Sequence, residues 1–109
     1  MQAPALEEVA LFHAQQGAEK ALKAYLIIAG ADDIPRTHRL RSLTGLLNQL
    51  GAPAPSQAAT AFLDGYGVGT RYPDTPRPDA ETVRTAMEYA RNLVGFVQAQ
   101  MESIEHSHD

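Results

Sequence analysis

The chain has no cysteine and no tryptophan. The first absence excludes a disulfide framework, a thiolate metal site and a cysteine nucleophile. The second, with only 6% aromatic residues, argues against an extended platform for stacking bases. Basic residues are also scarce, nine Lys and Arg against thirteen Asp and Glu, for a formal charge of −4. That balance argues against broad electrostatic adhesion to nucleic acid and leaves room for a local positive patch. Long apolar runs are missing too. The longest, AYLIIAGA, is far too short to cross a bilayer. The start, MQAPALEEVA, carries acids and no basic region, so it does not read as a secretory signal. No membrane association and a cytoplasmic location are therefore expected. No segment alternates with period two for the length of a strand, and no internal repeat is present.

What is present is helical. A length of 109 residues with 44% hydrophobic content suits one domain with one modest core. The expected organisation is a single domain over residues 1–105 and a disordered tail over 106–109. A first helix is predicted from near Pro4 to just before Gly30, with Glu7 and Glu8 complementing its positive end. Leu11, Ala14, Ala18, Ala21, Leu22, Tyr25, Ile28 and Ala29 share one arc of its wheel. His13, Gln16, Lys20 and Lys23 form a polar stripe elsewhere. Glu19 falls between Phe12 and Leu26, and a carboxylate flanked by apolar groups requires a partner.

A second helix follows ADDIPRTHRL, capped by Thr37 or its neighbour, with Leu40, Leu43, Leu46, Leu47 and Leu50 at helical spacing and Gly51 at its end. Ser56 is predicted to cap a short third helix through Ala59, Phe62 and Leu63, and Asp79 to cap a long last one. In the last helix Val83, Met87, Ala90, Val94, Val97, Met101 and Ile104 alternate spacings of four and three. Ala86, Tyr89, Leu93 and Phe96 widen its apolar arc to about half the wheel, enough for several neighbours or for an oligomer interface. The predicted fold is all-α, an up-and-down antiparallel bundle of four to five helices.

Enzyme signatures are missing. GYGVG follows a helix and lacks the Lys-Ser or Lys-Thr of a phosphate loop, and there is no Gly-x-Ser-x-Gly elbow. No histidine pair has metal-ligand spacing on a helix, so neither a metal nor a cofactor is expected. His13 reads as a solvated surface histidine, and His106 and His108 as part of a solvated tail. The densest positive patch is Arg36, His38, Arg39 and Arg41 at the start of the second helix, where exposed N–H groups would help hold an anion. The loop YGVGTRYPDTPRPD holds a second cluster. Pro73 forces an extended backbone at Tyr72. Arg71 either turns inward to pair with Glu19 or presents its planar donors to a phosphate, and both roles fit one guanidinium.

FHAQQGAEKALKAYLIIAG, PRTHRL, TRYPD and AMEYARNLVGFV, in that order, resemble a HEPN domain (higher eukaryotes and prokaryotes nucleotide-binding) over Leu6 to Val97. The resemblance implies a helical bundle, a homodimer or larger homo-oligomer, and binding of a nucleotide or RNA. It also implies pairing with a separate small nucleotidyltransferase, in some cases as a toxin–antitoxin module, and in many members metal-independent RNA cleavage. The positions matching the family are Gln16, Glu19, Lys20, Lys23, His38, Arg71, Tyr72 and Asp74. The ribonuclease branches place a His four to six residues beyond an Arg on the last long helix, and no Arg of this chain has a His at that spacing.

The expected protein is therefore a non-catalytic HEPN subunit that binds a nucleotide, RNA or a nucleotidyltransferase partner. Lys20, Lys23, His38, Arg71 and Tyr72 are its candidate ligand-binding residues, and Glu19, Pro73 and Asp74 its structural anchors. Two alternatives stay open. One is a ribonuclease toxin with a displaced site using His38 and Arg71. The other is a structural dimerisation module built on the wide face of the last helix.

Overall fold

Two long helices carry most of the fold, and two short ones lie between them in sequence. The computed structural model describes residues 6–65 and 79–106. Helix α1 spans Leu6–Ile28, α2 Leu40–Gln49, α3 Gln57–Asp64 and α4 Ala80–His106. All four pack together, so the all-helical bundle anticipated from the periodicity is the observed one. The predicted loop residues Arg71, Tyr72, Pro73 and Asp74, and the tail beyond His106, lie outside the described residues.

Local chemistry sets most of the boundaries. Gly30 and Gly51 adopt positive φ, 103° and 73°, a conformation costly for residues with a Cβ. Beyond each, an amide reaches back five residues, Ala31 N–H to Leu26 O at 3.0 Å and Ala52 N–H to Leu47 O at 3.0 Å. These are Schellman closures that satisfy the last carbonyls of α1 and α2. Ser56 accepts from the amides of Ala58 and Ala59 at the start of α3, and Asp79 accepts from Thr82 N–H at 2.7 Å at the start of α4. Both caps are the predicted ones.

The cap of α2 is different. Thr37 Oγ1 accepts from Arg39 N–H at 3.1 Å, a local turn that lies ahead of the helix. The first helical amides are held by Asp64 at the far end of α3, which accepts from Leu40 N–H at 2.7 Å and Arg41 N–H at 3.1 Å. Asp64→Ala is expected to cost about 0.5–2 kcal/mol. Urea unfolding checks this, and a wild-type midpoint would show that water replaces the cap without loss.

α1 packs chiefly against α4, and α3 bridges α2 and α4. The molecule measures 53 × 23 × 23 Å. At about 10–12 Å per helix it is two helices thick, so every helix keeps an outer face. The core joins Leu11, Leu22, Tyr25 and Leu26 of α1 to Leu40, Leu43 and Leu47 of α2, Leu63 of α3, and Leu93 and Val97 of α4. Small residues sit among them, Ala14 and Ala18 on α1 and Ala86 and Ala90 on α4. Tyr25 is fully buried, and its hydroxyl donates to Pro53 O at 2.7 Å, tying α1 to the α2–α3 connection.

Two wheel readings need correction. The buried face of α1 takes in Gln15, Glu19 and Leu26 and leaves Ile28 exposed, because the segment before α2 crosses that side. On α4 the fully covered line is Ala86, Ala90, Leu93 and Val97, while Met87 is 40% exposed. An apolar arc half a wheel wide cannot by itself indicate its centre. At Gly17 an added Cβ would meet no atom within 4 Å. Gly17→Ala is therefore expected to raise stability by about 0.5–1 kcal/mol, read as a higher melting temperature; a lower one would mean the position is occupied.

Candidate functional site

The site grows from one unusual feature of α1. Gln15 and Glu19 lie one helical turn apart on its buried face, where the surrounding side chains are apolar. Both are spent on the same residue. Gln15 Nε2 donates to the backbone carbonyl of His38 at 2.7 Å, and Gln15 Oε1 accepts from Gln16 Nε2 at 3.1 Å. Glu19 receives the His38 ring through Nδ1, at 3.1 Å to Oε1 and 3.3 Å to Oε2. Lys23, one turn further along, donates to Glu19 Oε2 at 3.0 Å. Among the described residues no buried side-chain nitrogen or oxygen lacks a partner.

The electrostatics follow from this packing. Burial pushes the Glu19 carboxyl up, but the hydrogen bonds from Lys23 and His38, together with their charges, outweigh it and leave it below its ordinary value. The carboxylate is therefore ionised at neutral pH. Unfolded, Glu19 titrates near the ordinary 4.5; folded, it titrates lower. Its contribution to stability is full above that value and is lost as pH falls through the folded one. In urea unfolding between pH 7 and pH 3, the gap between wild type and Glu19→Gln should narrow below about pH 4.5. A gap constant with pH would show that ionised Glu19 contributes nothing.

The two ends of this network differ in exposure. The Glu19 side chain is 7% exposed and the His38 side chain 71%. Nδ1 is engaged, and the ring is otherwise open to solvent. Arg36, Arg39 and Arg41 are exposed on the same segment. Arg41 Nε lies 3.7 Å from Asp64, a loose pairing. A polar groove of about 250 Å³ opens beside Arg41, lined also by Thr44, Asn48 and Gln57. A separate apolar groove of about 350 Å³ lies between α3 and α4, where Pro55, Tyr89, Leu93 and Phe96 line it without a charged group.

The structure sorts the predicted residues. It brings Glu19, Lys23 and His38 together. Lys23 is half-buried and engaged by Glu19, and Lys20 is exposed about 100° round the helix from Glu19. Arg71, for which pairing with Glu19 was one of two expected roles, lies with Tyr72 outside the described residues; the described partners of Glu19 are Lys23 and His38. The expectation of free N–H groups at the start of α2 is overturned, since Asp64 already occupies the amides of Leu40 and Arg41. A carboxylate there excludes a phosphate by charge as well as by space. One participant, Gln15, and one pairing were missed. Gln15 gives no sign in sequence that it holds a distant carbonyl. The Glu19–Lys23 pair does give a sign, the four-residue spacing of a helical ion pair. Among the described residues no three His, Asp or Glu side chains cluster to hold a metal ion.

A small helical bundle that devotes buried polar groups of its first helix to an exposed histidine before its second is the class of protein defined so far. The family model of the HEPN domain matches residues 5–100, and the chain belongs to the HEPN family. That membership supports a nucleotide- or RNA-related role in general. Comparison with curated proteins and with solved structures gives no match. No described helix is long and apolar enough to cross a membrane.

Proposed function

We propose that this HEPN protein binds a phosphate-bearing ligand, a nucleotide or RNA, at the His38 face and serves as the partner subunit of a small nucleotidyltransferase in a two-component, toxin–antitoxin-like module. The observation that supports it is the histidine itself, an exposed imidazole gripped from beneath by a buried carboxylate and flanked by three exposed arginines. In a chain of net charge −4 this is a local reversal of sign. Lys20 and, by the family match, Arg71 would add phosphate contacts, with Tyr72 stacking on a base. A homodimer belongs to the same proposal, and the exposed Met87 on α4 is compatible with an interface there.

Thermal unfolding with millimolar ATP, or with a short single-stranded RNA, tests the reading. At ten times the dissociation constant the ligand adds about 1.4 kcal/mol, a rise of roughly 5 °C. His38→Ala and Arg71→Ala should each remove most of it. No rise with either ligand would rule out the binding.

A second reading is favoured by the same geometry. A carboxylate on Nδ1 leaves Nε2 as the proton-transferring atom, and Arg71 would meet the developing charge on phosphate, giving a ribonuclease with a displaced site. RNA cleavage lost in His38→Ala with helicity retained would support it. A purified wild type that cuts no RNA removes it.

A further inference from the structure

The apolar groove between α3 and α4 and the exposed apolar end of α1 (Leu6, Phe12) have nothing beside them that identifies an occupant. The Gln15–Glu19–His38 network carries more. We propose that Gln15 and Glu19 are positioning residues that fix His38 in one tautomer and orientation, so that ligand binding through Nε2 takes up a proton. The inference rests on the phosphate-binding reading above and assigns the residues that control it.

The argument starts with cost. Gln15 is 1% exposed, and burying its amide requires both its donor and its acceptor to be satisfied. Its donor goes to the His38 carbonyl, which pins the backbone of a loop residue 23 positions away. Glu19 then pins the ring of that residue. A histidine needed only to neutralise Glu19 would not require its backbone held as well, and Lys23 already supplies a cation.

Tautomer follows from charge. An ionised carboxylate only accepts, so the Nδ1 facing it carries the proton. In the neutral ring Nε2 is then a lone pair, which repels a phosphate oxygen. In the imidazolium Nε2–H donates to that oxygen, while Nδ1–H still donates to Glu19. Phosphate binding and protonation therefore favour each other. The charged groups around His38 are Glu19 and Lys23 from α1, Arg36, Arg39 and Arg41 on its own segment, and Asp64 from α3. Glu19 is in direct contact with the ring, and the exposed arginines would attract the same anion. Imidazole is the side chain whose ordinary charge change falls between about pH 5 and 8, so the coupling is tested across that range.

Nitrogen-15 NMR of the histidine rings in the full chain reads the first half without any ligand. Wild-type His38 should show the Nδ1–H tautomer at high pH, with exposed His13 as the internal reference. Glu19→Gln should relax that preference. Wild-type His38 in the Nε2–H form would overturn the proposal even if the variant failed to fold. The second half uses two probes, a short single-stranded RNA with hydroxyl ends, whose phosphodiesters do not titrate in this range, and 5′-AMP. Whichever binds identifies the source of the phosphate.

For the RNA, affinity should be up to about tenfold higher at pH 6 than at pH 8, with the difference less than about twofold in Glu19→Gln and His38→Gln. If AMP alone binds, it should raise the His38 titration midpoint in wild type and leave that of His13 in place. Binding without proton uptake overturns the positioning proposal and leaves the binding reading standing. No binding of either probe at any pH overturns both.

Discussion

Leu22→Ala is expected to lower the free energy of unfolding by about 2–5 kcal/mol. Leu22 is fully buried in the second half of α1, within the cluster shared with α2, α3 and α4. Truncation removes the burial of its outer carbons and leaves a cavity that four converging helices cannot close without moving their own contacts. A domain of this size has roughly 5–15 kcal/mol in total, and this one has no disulfide to limit its unfolded state. The loss is therefore a large fraction of the whole. Urea unfolding measures it, and Leu22→Met, which keeps the volume, should stay within about 1.5 kcal/mol. A loss below about 1 kcal/mol for the alanine variant would show that the core closes around the gap.

Ala18→Leu is expected to destabilise by about 1–3 kcal/mol, the second largest effect. Ala18 has no exposed surface, and Ala14, Ala86 and Ala90 belong to the same buried cluster. Small side chains at a helix contact bring axes to the short end of the usual 8–10 Å range. Three more carbons there must displace a neighbour or separate α1 from α4. The neighbouring Gly17 is the contrast, with open space where Ala18 has none. One residue of helical rotation turns a stabilising enlargement into a destabilising one. A neutral Ala18→Leu would mean that α1 and α4 are not closely apposed at this point.

How much was legible in the sequence depends on the range of each interaction. Ser56, Asp79, Gly30 and Gly51 act on amides and carbonyls a few residues away, and each was read correctly. Asp64 acts on Leu40, 24 residues back, so the sequence suggested Thr37 instead and left free amides where none are free. Glu19 shows the same division. Its discomfort among apolar neighbours was evident, and Lys23 could have been found by spacing. His38, 19 residues further on, follows only from the path of the chain between α1 and α2. The site was thus visible as separate residues, and its assembly required the fold.

The capping of α2 by Asp64 also bears on how the molecule opens. The first amides of a helix usually fray independently, but here those of Leu40 and Arg41 stay protected only while the end of α3 remains in place. Hydrogen exchange at these amides is therefore expected to report on the docking of α3, with the two short helices opening together. His38 lies two residues before the first of those amides, so the Asp64 cap bounds its segment on one side as α1 does on the other.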